Sequence, residues 1–169
     1  IKICALAEDY AGNEASNCGD FITGDRWQGT LHSAMTTTWP KGSCTGETWD
    51  YDLSLVVGHD GTVSGKAVGR LVSEPQCSFA KNGPQARNKS ADVSGNFDGR
   101  QFELQFNRTS LDGMTFGVDS LVDEAGSAPM LVPLTGPGIA QGETGTTRTV
   151  VTGVGSGRHT LTLKCADCK

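Results

Sequence analysis

Cys165-Ala166-Asp167-Cys168 is the one tight cysteine pair in the chain. Its spacing is that of thiol–disulfide exchange, of zinc coordination and of covalent haem attachment. Exchange of the thioredoxin kind needs a helix N-terminus in an α/β frame, zinc needs a second pair of ligands, and haem needs a histidine where Lys169 stands. The pair is therefore read as structural, with two disulfides anchoring this end of the chain, one of them reaching to Cys4 or Cys18. Cys44 and Cys77 flank the first hairpin described below and are expected to form the third bridge.

The remaining reactive residues do not converge. His32, His59 and His159 are too scattered for a metal site. His59 falls in a turn, and His32 and His159 are expected on outward faces. Asp50-Tyr51-Asp52 resembles a paired carboxylate, but strand alternation puts both acids on the solvent face and Tyr51 inside. Ser64, Ser94 and Ser156 lie in strand or turn contexts without a nucleophile elbow. Gly155-Ser156-Gly157 joins strands and opens no helix, so it is no phosphate loop. We expect no catalytic residue, no metal and no cofactor. Ligand contact falls to Trp27, Trp39, Trp49 and Tyr51, because a small barrel can line its mouth with aromatic rings. Trp27, Trp49 and Tyr51 at inward positions more often serve as core than as ligand contacts. Trp39, before Pro40 in a loop, is suited to a sugar or a protein contact.

Two hairpins must position these groups. Trp49, Tyr51, Leu53, Leu55 and Val57 share one strand face, and Val63, Gly65, Ala67, Gly69 and Leu71 share the return face. Both sets are odd-numbered, which requires an odd loop, and His59-Asp60-Gly61 supplies one with Gly61 in the left-handed region. The expected pairs are Tyr51 with Gly69, Leu53 with Ala67 and Leu55 with Gly65. In the second hairpin the inner sets are odd (Ala91, Val93, Gly95, Phe97) and then even (Phe102, Leu104, Phe106). Asp98-Gly99 is read as its two-residue turn, pairing Gly95 with Phe102, Val93 with Leu104 and Ala91 with Phe106.

Elsewhere residues 1–25 are read as an irregular, disulfide-tied lead-in, 27–32 as a strand and 36–48 as a loop. The 74–89 stretch is a long loop with a short extended piece at 77–79, suited to binding or to a lid. Residues 114–118 are read as a strand, 121–126 as a helical turn, and 126–145 as a long Gly/Pro-rich loop with a short edge strand at 130–134. Strands at 147–154 and 158–164 close the chain about a turn at 155–157, with Val150 facing Leu161 or Leu163.

A chain of 169 residues suits one domain, 1–169, with a real core. Its 23 glycines follow no repeat and mark turns, bulges and close approaches. The net charge of -5 is dispersed, so no basic stripe points to nucleic acid. No apolar run has the length of a membrane span, and no stretch of this sequence is expected to act as a signal peptide. A chain beginning at Ile1 is expected to be a mature or excised form. Six cysteines in a Gly-rich β-chain favour an oxidising compartment, hence a secreted, extracellular or periplasmic protein. The sequons at Asn88 and Asn107 matter only in a source that glycosylates secreted proteins.

Seven or eight strands joined to sequence neighbours suggest an all-β, antiparallel up-and-down barrel, with a two-sheet β-sandwich as the alternative. Trp27-Gln28-Gly29-Thr30, then Asp60-Gly61-Thr62-Val63-Ser64-Gly65, then Val93-Ser94-Gly95-Asn96-Phe97-Asp98-Gly99 resemble bacterial lipocalin- and avidin-like (calycin-type) secreted modules over residues 26–108. The 126–145 loop and six cysteines depart from that pattern, and no ligand residue is carried over. Gly157-Arg158-His159-Thr160-Leu161 resembles the last strand of many extracellular sandwiches. The function expected is a secreted, non-enzymatic module binding a small apolar ligand, a glycan or a protein through barrel mouth and loops. The alternatives are a structural or adhesive domain of a larger surface protein, and an enzyme with a loop-assembled site.

Overall fold

The computed structural model describes residues 2–8, 14–20, 24–81, 83–117, 121–123, 127–150 and 153–168. Its strands are β1 (Lys2–Glu8), β2 (Glu14–Asp20), β3 (Asp25–Trp39), β4 (Gly42–Val57), β5 (Thr62–Ser73), β6 (Gln76–Cys77), β7 (Asn88–Phe97), β8 (Gln101–Leu111), β9 (Met130–Gly136), β10 (Ile139–Val150) and β11 (Gly153–Cys165). Among the described residues, β3, β4, β5, β7, β8, β9, β10 and β11 pair in that order, and β11 returns to β3. This is a closed antiparallel up-and-down barrel, and closure removes the sandwich alternative. β6 adds two pairs outside the ring, Cys44 with Cys77 and Thr45 with Gln76.

Alternation builds the wall. On β4, Trp49, Tyr51, Leu53, Leu55 and Val57 are buried, whereas Asp52 and Ser54 are exposed. The β4–β5 ladder sets Tyr51 against Gly69, Leu53 against Ala67 and Leu55 against Gly65, as the sequence predicts. The Gly58 amide donates to the Thr62 carbonyl at 2.8 Å, and Gly61 closes the loop with φ +83°. Glycine is needed on the return strand for space. A Cβ at Gly65 would lie 2.1 Å from the Ser54 carbonyl oxygen, and one at Gly69 would lie 2.5 Å from the Tyr51 ring.

The second hairpin has the predicted parity but not the predicted register. Phe97 pairs with Phe102, Gly95 with Leu104 and Val93 with Phe106. The Asp98 carboxylate accepts from the amides of Arg100 (2.8 Å) and Gln101 (2.7 Å), so Asp98 becomes the first corner of the turn. Gly99, at φ +87°, then takes the first central position, as a type II′ turn requires. The ladder consequently runs two residues out from the expected one.

Other differences share a physical basis. Residues 2–8 and 14–20 form the antiparallel pair β1 and β2, and not an irregular lead-in; their register sets Cys4 opposite Cys18. The expected loop at 36–48 is mostly strand, interrupted by a turn at Pro40-Lys41. Residues 114–117 form no strand beyond a bridge from Met114 to Gln85, because the amides of Phe116 and Gly117 are taken by the Glu47 carboxylate. Residues 121–123 form a turn, and 124–126 of the predicted helical turn lie outside the described residues. The expected 126–145 loop contains β9 and the first half of β10. β10 escapes an apolar count because a residue larger than Gly142 would press on Leu131 and Val132 of β9. Gly155-Ser156-Gly157 lies inside β11, not at a turn, so Leu161 faces Gly142, Leu163 faces Ala140, and Val150 pairs with Gly153.

Among the described residues the disulfides are Cys44–Cys77, as expected, and Cys165–Cys168. The expected bridge from the C-terminal pair to Cys4 or Cys18 is overturned. Residues 165 and 168 sit 5.6 Å apart at Cα, within reach of each other.

Two predictions follow from this wall. Gly65→Ala should lower stability by about 1–3 kcal/mol, through strand displacement at Ser54, whereas Gly136→Ala, with open space at its Cβ, should be close to neutral. Thermal unfolding of both variants measures this. The second concerns acid. Asp60 is held below the ordinary carboxylate range chiefly by the Thr62 hydroxyl, Asp98 by the Arg100 amide, Asp112 by the Asn88 amide, Glu74 by hydrogen bonding from Arg87 and Asp167 by hydrogen bonding from Arg26. A depressed folded pKa contributes stability above the unfolded value, and that stability is lost as pH falls through the folded one. The urea midpoint should stay level above about pH 5 and fall below about pH 4, with a shallower fall in Asp112→Asn.

Candidate functional site

The two ends of the barrel differ in chemistry. At the end carrying the 58–61, 98–100 and 137–138 turns, Trp27 lies edge-on to Phe102 (4.9 Å) and tilted against Phe97 (6.0 Å), an apolar plug. At the other end, where the 40–41, 74–87 and 112–129 connections lie, the buried residues include Ser33, Thr37, Glu47, Lys89 and His159. Each is odd-numbered and continues the inward phase of its strand, Ser33 and Thr37 beyond Leu31, Glu47 beyond Trp49, Lys89 beyond Ala91 and His159 beyond Leu161.

Two carboxylates fasten residues 116–117 and 121–123 at this mouth. Glu47 Oε1 accepts from the Trp49 indole N–H at 2.8 Å, and Oε2 accepts from the amides of Phe116 (3.0 Å) and Gly117 (2.6 Å). Asp123 lies in the turn whose Leu121 and Val122 are buried. Its Oδ2 is 3.5 Å from Lys89 Nζ, and its Oδ1 is 3.2 Å from the Arg108 guanidinium. The Lys89 side chain is wholly buried, with Nζ 4.3 Å above the Trp49 ring centre and 5.7 Å from that of Tyr51. Aromatic faces and a carboxylate together replace the water that this ammonium gives up. His159, buried and not on the outward face predicted for it, bonds Ser33 Oγ (2.9 Å) through Nδ1 and Thr146 Oγ1 (3.0 Å) through Nε2. It shares the inward parity of Leu161 and Leu163, and Gly157 leaves the space for its ring.

Outside this latch runs an open groove of about 600 Å³, lined by Trp39, Phe79, Met114, Phe116, Arg108 and Arg148 among others. Trp39 and Phe79 meet edge to face at 5.5 Å, and Phe79 and Met114 are 40% and 48% exposed.

The four aromatic candidates are thus divided. Trp39 is in the groove, Trp49 and Tyr51 stack beneath it in the interior at 6.5 Å, and Trp27 belongs to the opposite end. His32 is exposed and 2.6 Å from Asp50 on the outer wall; His59 lies in its turn. Asn88 is exposed and donates its amide to Asp112, while Asn107 is half-buried. Sequence reasoning missed Glu47, Lys89, Arg108, Asp123, Phe79, Met114 and Phe116 as site residues. For Glu47 and Lys89 a signal existed, since each is a charge at a position whose parity is inward. Compared with protein-family models, curated proteins and solved structures, the chain matches none of them.

Breaking one side of a buried ion pair costs about 3–5 kcal/mol, whereas removing both partners costs far less. Lys89→Met should destabilise by about that amount, and Lys89→Met with Asp123→Leu should recover part of the loss. A double-mutant cycle in urea, read by tryptophan fluorescence, checks the coupling. Additive effects would remove the latch from the account.

Proposed function

We propose that this chain is a secreted, non-enzymatic binding module that grips a protein partner at the loop end of its barrel. The observation that carries the reading is the groove of Trp39, Phe79, Met114 and Phe116 beside Arg108 and Arg148. Aromatic, methionine and arginine side chains are those enriched where protein interfaces concentrate their binding energy. A ring wall with exposed Phe79 and Met114 suits an apolar anchor from the partner. Large buried side chains, among them Trp49, Tyr51, Phe102 and Phe106, occupy the barrel interior, which favours recognition on the loops over an internal ligand. Glu47, Asp123 and Lys89 are engaged in holding the 112–129 segment, a positioning role more than a chemical one. Export is supported by the disulfides Cys44–Cys77 and Cys165–Cys168. No helix is long and apolar enough to cross a membrane among the described residues.

A displayed random-peptide library panned on the wild-type chain tests this. Peptides with an aromatic or aliphatic anchor should be enriched, and their affinity should fall about tenfold or more for Phe79→Ser with Met114→Ser. Enrichment indifferent to those substitutions would sink the groove reading. Oligosaccharide binding that the same substitutions abolish, without peptide binding, would replace it with a glycan module.

A further inference from the structure

The two described disulfides do different work. Cys44–Cys77 joins β4 to β6 across a separation of 33 residues, and Cys44 is buried. Cys165–Cys168 closes a separation of 3 residues at the end of β11, with Cys165 half-buried and Cys168 exposed. A cross-link restricts the unfolded chain less the shorter its loop, so the second bridge adds much less to stability than the first.

The turn that carries it is also held without it. The Cys165 amide donates to the Gly138 carbonyl at 2.8 Å and the Ala166 amide to the Arg26 carbonyl at 2.8 Å. Arg26 returns two bonds to the Asp167 carboxylate, from its amide at 2.7 Å and from Nε at 2.8 Å. A staple across a turn already clamped at both sides is redundant for folding. Beside it, on the outer wall, opens a groove of about 600 Å³ lined by Gln28, Gly29, Thr30, Thr162, Lys164 and Cys165. The groove gives an approaching chain a polar bed that runs to Cys165 and Ala166, three and two residues before the exposed Cys168. Lys164 lines the same groove as Cys165 and brings a positive charge to it, which favours a departing thiolate, whereas the charge of Arg26 is matched by Asp167.

We propose that Cys165–Cys168 is a thiol–disulfide exchange site whose substrate is a thiol that approaches along this groove. The substrate thiolate attacks the exposed Cys168 Sγ, the Cys165–Cys168 bond breaks, and its electron pair leaves on Cys165 Sγ, which takes a proton from water. A second substrate thiolate then attacks the substrate sulfur of the mixed disulfide and releases Cys168 as the thiol. Two substrate thiols become one disulfide, and the protein bridge gains the two electrons and two protons they give up. With Lys164 in place of a helix terminus, the site works as an oxidant of accessible thiols.

The test uses the full chain in graded glutathione at neutral pH, trapped with iodoacetamide and read by peptide mass spectrometry. Cys165 and Cys168 should become alkylated at about tenfold lower glutathione than Cys44 and Cys77, or lower. Thermal unfolding of Cys165→Ser with Cys168→Ser should stay within about 4 °C of wild type. Lys164→Glu should slow the exchange severalfold. A cysteine-containing peptide offered at equal thiol concentration separates the sources: faster reaction than glutathione identifies a peptide cysteine, and equal rates identify a free thiol. Co-reduction of both bridges, or unfolding of the double variant, would make Cys165–Cys168 a structural staple and overturn the proposal.

Discussion

The pairing of the last strand with the first long one is the constraint from which the rest of the barrel follows. β11 lies along β3 from Val154 opposite Thr38 to Cys165 opposite Trp27, so the sheet has no open edge in the ring. A closed ring also fixes phase: slipping one strand by a residue would turn its whole apolar set to water, and no neighbour could follow. With β3 inward at Trp27, Leu31, Ser33, Met35 and Thr37, β11 must be inward at Gly155, Gly157, His159, Leu161 and Leu163. Large residues then meet small ones across the seam, Leu163 against Gly29 and Met35 against Gly157. The same phase delivers serine, threonine and histidine into the half of the interior nearest the loops.

That polar half needs partners, and the 112–129 segment provides them. Removing Glu47 and Lys89 from water is costly unless each polar atom is matched. Glu47 collects three N–H donors, and Lys89 sits between aromatic faces and Asp123. A hydrophobic mouth would cost less free energy, yet it would hold the segment by contact area alone and in no single position. Charged latches instead place Phe116, Gly117 and Asp123 at fixed points of the rim, and Asp123 in turn orders Arg108. We interpret the buried charges as what gives the external groove its shape.

How much of this was legible in the sequence depended on whether the signal was local. The first hairpin was readable pair by pair because Gly61 and its flanking parities admit one register. The second failed by two residues, because Asp98 accepts from two amides and shifts the corner, and parity is blind to a shift of two. β10 and the start of β11 were hidden because Gly142 and Gly157 leave room for neighbours and so carry no apolar alternation. His159 followed a rule that Leu161 and Leu163 state plainly, and polarity was allowed to outweigh phase. The pairing of Asp123 with Lys89 and Arg108 joins the neighbouring strands β7 and β8 to the connection after β8 and leaves no pattern at any spacing.

Trp39 could be nominated from its own loop, but the wall it belongs to could not, since Phe79 arrives from a different connection. The buried bridge between Cys44 and Cys77 brings it there. Two residues beyond Cys77, Phe79 meets Trp39, and Ser78 donates its amide to the Ser43 carbonyl while its hydroxyl accepts from the Ser43 amide. The disulfide and this pair of hydrogen bonds fasten the 74–87 connection to the start of β4 at adjacent points. An aromatic wall fixed in advance loses little conformational freedom when something binds to it, and that saving appears directly as affinity. On the proposed reading, Cys44–Cys77 would contribute to recognition as well as to stability, through the loop entropy it removes from the groove before a partner arrives.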